Sequence, residues 1–183
     1  MKELSLNILD IAENSVRAKA KNIGIIIVED EETIRMDISD DGCGMTEDFI
    51  INVTNPFWTT RKTRNVGLGL PLLKMEAEMT GGYVEIKSQP ESEHPLNHGT
   101  VTTALFYKNH IDTTPLGDIV ATIVTLIQCN PKLDFLFRHT MPDKTVSLDT
   151  REMREQLGSV PLNNPEVVWW MKDYLKEQYA GTN

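Results

Sequence analysis

"NIGIIIVEDEETIRMDISDDGCGM", Asn22 to Met45, reads as two strands and a turn. Residues 22–30 and 32–40 have strand character and are joined by an acidic turn. The first run is almost wholly apolar, which predicts burial on both faces. The second ends at Asp40, where a glycine-rich turn begins, with Gly42 and Gly44 alternating with other residues.

The flanking sequence builds out from this pair. Leu4, Ile8, Ile11, Ala12 and Val16 recur at helical spacing and predict an amphipathic helix over 3–20. Downstream, "TEDFIINV" (46–53) begins a short helix with Thr46 as N-cap and Asp48 in its first turn. An irregular segment, "NPFWTTRKTRNVGLGLP" (55–71), carries the basic cluster Arg61, Lys62 and Arg64. A helix over 68–80 follows, with Pro71 near its first turn and Gly81-Gly82 ending it. "YVEIKSQ" (83–89) and "TVTTALFYK" (100–108) are strands. This order predicts an α+β fold: a two-layer α/β sandwich of one mixed sheet packed on helices.

Asp112–Pro115 marks a candidate boundary, with 1–110 as one domain and 111–183 as a small accessory α+β extension. In the extension, 116–129 reads as an apolar helix, "LDFLFRH" and "KTVSLD" as a hairpin, and the stretches near 150–157 and 165–178 as helices. The cluster Val167, Val168, Trp169, Trp170 and Met171 is expected to pack into the core.

Composition sets outer bounds. The chain has 183 residues, 40% hydrophobic and 25% charged, and a formal net charge of −9. That charge argues against non-specific nucleic-acid binding, which relies on many lysine and arginine contacts to phosphate. Two cysteines, Cys43 and Cys129, make no disulfide framework or zinc motif. The N-terminus lacks the apolar core of a signal peptide. No apolar run approaches the roughly 18 residues of a membrane span. A cytoplasmic location without membrane contact is expected.

Four stretches carry candidate chemistry. On the first helix Asn7, Asp10, Asn14 and Arg17 form one polar stripe opposite the apolar face. An asparagine carbonyl oxygen suits Mg2+, and a carboxylate one turn earlier suits the activation of water. At the turn, the Asp40 carboxylate suits an exocyclic amine such as that of adenine. Gly42 and Gly44 permit close backbone approach. Gly67-Leu68-Gly69 opens a helix and offers free backbone N–H groups to phosphate, with Thr59, Thr60, Arg61 and Lys62 adding hydroxyls and charge. It is neither a Walker loop nor the GxGxxG fingerprint, which would need glycine at Leu72. Finally, Gly99-Thr100 opens the last strand and places a hydroxyl there. Singly, each has a plainer reading as a solvated helix face or an ordinary turn.

In this order and spacing the four regions resemble the GHKL superfamily over residues 1–108. This is the Bergerat-fold ATP-binding domain of DNA gyrase, heat-shock chaperones, histidine kinases and MutL. The resemblance implies Asn14 as Mg2+ ligand and Asp40 as reader of the adenine amino group, with Gly42 and Gly44 shaping that wall. It implies that Gly67, Leu68 and Gly69 cradle phosphates, that Thr59–Lys62 form a lid, and that Thr100 is the last-box threonine. The N-box half is more similar to MutL, and the lid half to histidine kinases.

Asp10 departs from the resemblance, being neither the ATPases' glutamate base nor the kinases' asparagine. Glu13 is an alternative base, but it sits about 100° around the helix from Asn14, which favours Asp10. The expectation is a domain without the helical acceptor-histidine segment that histidine kinases normally place before it. His94, His98 and His110 lie in predicted turns or at a strand end, and His139 lies in the tail hairpin. The expectation is an ATP/ADP-binding protein that is a kinase or slow ATPase acting on a partner or phosphoacceptor protein. The alternative is a non-catalytic ATP sensor that binds a partner through 111–183. The oligomeric state stays open.

Overall fold

The computed structural model describes residues 3–53 and 69–181. Along these run α1 (Leu4–Arg17), β1 (Asn22–Glu29), β2 (Thr33–Asp40), α2 (Glu47–Val53), α3 (Gly69–Met79), β3 (Tyr83–Gln89), β4 (Gly99–Tyr107), α4 (Ile119–Cys129), β5 (Asp134–Thr140), β6 (Thr145–Asp149), α5 (Thr150–Leu157) and α6 (Pro165–Ala180). The strands form one six-stranded sheet in the order β3-β4-β2-β1-β5-β6. β1 and β5 are parallel, and every other pair is antiparallel. The sheet is therefore mixed and packed with helices, the predicted α+β architecture.

The core follows from the two-residue period of the strands. Ile23, Ile25 and Ile27 of β1, Ile34, Met36 and Ile38 of β2, Phe135 and Phe137 of β5, and Ala104 and Phe106 of β4 are all buried. They meet the apolar stripes of α1 (Leu4, Ile8, Ile11) and α4 (Ile119, Ile123, Leu126). The expectation that β1 is buried on both faces is corrected. Its alternate residues Gly24 and Ile26 are only half-buried, and Val28 is 41% exposed. Ile23, Ile25 and Ile27 alternate with these more open positions, so the run is apolar but buried on one face.

The region after residue 110 adds its hairpin to the same sheet. β5 pairs with β1 from Asn22↔Asp134 to Val28↔Thr140. The backbone leading into α4 also caps α1: Leu4 N–H donates to Pro115 O (2.9 Å) and Ser5 N–H to Leu116 O (2.9 Å). These bonds satisfy two of the amides that a helix start leaves without intrahelical partners. At the far edge, Gln178 of α6 pairs with Ser147 of β6 through both its amide oxygen and nitrogen (3.0 Å each). A side-chain amide thus occupies a strand edge that would otherwise be open.

The expected core packing of the α6 cluster is corrected in part. Val167 and Met171 are buried, but Trp169 is 69% and Trp170 46% exposed. The residues reaching the core are spaced i, i+4, i+8 (Val167, Met171, Leu175), and both tryptophans lie off that row. Among the described residues no helix is long and apolar enough to cross a membrane.

Candidate functional site

The site is built where β2 ends. Asp40, the last residue of β2, pairs across the sheet with Thr100 on β4. Directly opposed residues of antiparallel strands project to the same face. α1 supplies a third group: Ser15 Oγ donates to Asp40 Oδ2 at 2.6 Å. Gly42 N–H donates to the other oxygen, Oδ1, at 2.9 Å. The carboxylate is thus held from two sides, and each oxygen keeps further capacity to accept. Sequence reasoning did not single out Ser15. Its signal was its place beside Asn14, turned about 100° inward toward the sheet.

The two turn glycines are explained by how closely the turn is clamped. A Cβ on Gly42 would stand 2.7 Å from Ala18 Cβ at the end of α1. Gly44 has φ +65°, and a Cβ there would stand 2.0 Å from the carbonyl oxygen of Gln89. The turn is tied further by Cys43 N–H to Ala18 O and Glu91 N–H to Cys43 O, both 2.9 Å. His98 Nδ1 donates to Gly42 O at 2.6 Å. A carbonyl only accepts, so the proton is on Nδ1.

Thr100 sits in a small hydroxyl network. Ser88 Oγ donates to Gly99 O (2.9 Å), accepts from Met45 N–H (2.8 Å) and meets Thr100 Oγ1 at 2.8 Å. Because the single Ser88 proton is taken by Gly99 O, Thr100 is the donor to Ser88. Asp41, next to Asp40, accepts from Lys21 N–H (2.7 Å), Asn22 N–H (2.8 Å) and Asn22 Nδ2 (2.7 Å). Burial opposes its charge, but these donors together hold its carboxyl below the usual range. Asp41 is thus a structural clip at the start of β1.

The second half of the site joins α1 to α3. Gly69, the first residue of α3, packs against Asp10: a Cβ there would stand 3.2 Å from Asp10 Cβ and 3.4 Å from Oδ2. Asp10 is exposed as a residue, yet its carboxyl has α3 backbone on one side. Partial burial, and then the Glu13 carboxylate, push its proton affinity above that of an ordinary aspartate, with Arg17 pulling the other way. Glu13 itself pairs with Arg17 at 3.0 Å. Asn14 is exposed, and its Oδ1 accepts from Arg17 at 3.3 Å. That long bond leaves a hard oxygen reachable by a cation.

The single polar stripe predicted on α1 is corrected at Asn7. This residue is fully buried, and its Nδ2 donates to Glu76 of α3 at 2.6 Å. Thr59, Thr60, Arg61, Lys62, Gly67 and Leu68 lie outside the described residues. Among the described residues no group of three or more His, Cys, Asp or Glu side chains could hold a metal ion. A cavity of about 280 Å³ opens elsewhere, among Gly24, Ser39, Asp41, Leu136 and Arg151. Asp40 borders it, but none of Asp10, Asn14 or Thr100 does.

Comparison with known proteins places this geometry. Sporulation kinase A of Bacillus subtilis (strain 168) is 31% identical over 91 residues, covering 50% of this chain and 15% of that protein. Sensor protein KdpD of Clostridium acetobutylicum is 31% identical over 90 residues, covering 46% of this chain and 10% of that protein. This chain therefore matches only a small part of either relative. A solved structure of the N-terminal domain of a DNA repair protein shares the fold, with a TM-score of 0.56 at 14% identity, covering 81% of this chain and 53% of that one. Residues 2–110 match the family described as histidine kinase-, DNA gyrase B-, and HSP90-like ATPase. The chain belongs to that GHKL family and carries its ATP-binding domain.

Proposed function

We propose that the chain binds Mg·ATP between α1, the 40–45 turn and α3, and passes the γ-phosphate slowly to water or to a partner protein. Asp40 accepts the adenine amino group, held by Ser15 and Gly42. Asn14 Oδ1 would hold Mg2+, which when bound would supply charge neutralisation at the phosphates. A single protein oxygen suits this ion, which usually keeps waters and takes its other ligands from substrate phosphates. The backbone at Gly67–Gly69 holds phosphate, Thr59, Thr60, Arg61 and Lys62 close over it, and Asp10 accepts a proton from the attacking nucleophile.

The observation that carries this reading is Asp10 against Gly69. It puts a carboxylate of raised proton affinity beside the start of α3, the helix start assigned to the phosphates in this reading. Similarity to Sporulation kinase A, a kinase by name, favours phosphate transfer over hydrolysis alone. A cytoplasmic location accompanies this reading, consistent with two free, exposed cysteines.

A second reading is an ATP sensor that docks a partner through 111–183. It is favoured by the exposed aromatics of α6, where Trp170 and Tyr174 stack at 4.9 Å. The two readings separate on incubation with γ-labelled ATP, alone and with candidate substrate proteins. Label released as free phosphate, or moved to protein, and lost in Asp10→Asn, supports the first. Bound nucleotide with no label released or transferred supports the second.

A further inference from the structure

We propose that the buried Asn7–Glu76 hydrogen bond sets where α3 sits against α1, making these two residues positioning residues for the phosphate end of the nucleotide site. The inference rests on the ATP-binding reading and adds residues to it.

The bond spans two helices and is short. Asn7 Nδ2 reaches Glu76 Oε2 at 2.6 Å, with Asn7 fully buried and Glu76 only 8% exposed. Such a length lies at the short end for an N–H···O bond. Asn7 lies about one turn before Asp10 on α1, and Glu76 about two turns after Gly69 on α3. The α1–α3 contact therefore has two fixed points: this bond and the close approach of Gly69 to Asp10. The remaining buried face of α3 is Leu70, Pro71, Leu73 and Ala77, whose packing is non-directional. Among the described contacts between α1 and α3, this polar bond is the directional one, and it favours one rotation and one axial position of the helix.

Stability alone does not account for the pair. Replacing both partners of a buried hydrogen bond by apolar groups of the same shape can be nearly neutral. Asn7 Oδ1 is moreover buried with no hydrogen-bond partner, which costs further. A buried polar contact retained under those conditions acts in the way that a single buried asparagine fixes register between helices. Here the register fixed is that of Gly69 on Asp10.

The test compares wild type with the double variant Asn7→Leu/Glu76→Leu and with Asn7→Ala. Melting temperature without nucleotide, and Kd for Mg·ATP and Mg·ADP by calorimetry, are measured for each. The double variant keeps a cooperative melting transition, because apolar side chains fill the space of both partners. It nevertheless binds ATP about tenfold more weakly, the scale of a typical coupling between sites. ADP affinity falls less, so the ATP/ADP preference shrinks. Asn7→Ala, studied well below its own melting temperature, shows the same loss of preference. Glu76→Gln keeps an acceptor for Asn7 and restores the preference. Wild-type ATP affinity and preference in either folded variant overturn the inference while leaving ATP binding intact. Absence of ATP binding in wild type overturns the reading beneath it, and the inference with it.

Discussion

Gly69, where α3 begins, lies against the Asp10 side chain of α1, so closely that a Cβ would stand 3.2 Å from Asp10 Cβ. The contact joins two stretches nearly sixty residues apart in the chain. It brings the α1 acid that, unlike Glu13, makes no ion pair among the described residues to the helix start expected to face phosphate.

Asp10→Asn should therefore lower phosphate release or transfer by about 10²-fold or more, the usual contribution of a positioned base. The pH profile carries the same information. A base works deprotonated, so the rate rises with pH through the Asp10 pKa, which burial and Glu13 raise. The acid limb should fall above the position of an ordinary aspartate, about pH 3.9. Steady-state phosphate release from pH 4 to 8 checks it, and equal rates in both proteins would sink the role of Asp10.

Ser15→Ala should weaken adenine-nucleotide binding modestly. It removes one 2.6 Å donor that aims the Asp40 carboxylate, a loss of about 1 kcal/mol or roughly fivefold in Kd. ATP and ADP should lose equally, because the effect is at the adenine end. A selective loss of ATP in calorimetry would move Ser15 to the phosphate end.

Stability should fall as pH drops below about 6.5, the usual histidine value. His139 is buried between Tyr179 OH, 2.8 Å from Nδ1, and Glu29, 3.4 Å from Nε2. Desolvation lowers its pKa, more than Glu29 raises it. The unfolded chain therefore binds the proton more readily, so the stability contribution is complete above the unfolded pKa and is lost as pH falls through it toward the folded value. The slope is at most about 1.4 kcal/mol per pH unit. Urea midpoints at pH 7.5 and 5.5 should differ less for His139→Gln than for wild type, and identical differences would contradict the assignment.

Removal of residues 111–183 should yield an insoluble or unfolded product. It strips β5 from the Asn22–Val28 edge of β1, leaves Ile23, Ile25 and Ile27 without Phe135 and Phe137 beside them, and uncaps α1 at Leu4 and Ser5. A soluble fragment that still binds nucleotide would instead make the accessory region a separable module.

These cases mark what the sequence made legible. The strands and helices of the described residues were legible from apolar spacing, apolar runs and cap or turn residues, and the β1–β2 and β5–β6 hairpins from their short turns. The parallel pairing of β1 with β5 did not, because nothing local records a contact more than a hundred residues apart. Asn7 shares a helix azimuth with Asn14, so periodicity placed them together. α3 covers the level of Asn7, and only packing reveals that. Asp40 and Thr100 were each read as candidates, yet their cross-strand register is a property of the sheet. Tryptophans at 169 and 170 suggested core by hydrophobicity alone, whereas the i, i+4, i+8 row of Val167, Met171 and Leu175 takes that place.

The central claim is that this chain binds adenine nucleotide with Asp40 as its base-reading acceptor. Titration of Mg·ATP into wild type and Asp40→Asn by calorimetry tests it most directly. The prediction is one site in wild type and an affinity weakened in the variant by about 10- to 150-fold, the roughly 1.5–3 kcal/mol of a hydrogen bond to a charged group. Equal affinities in two folded proteins would remove Asp40 from the pocket, and no heat of binding in wild type would contradict the account as a whole.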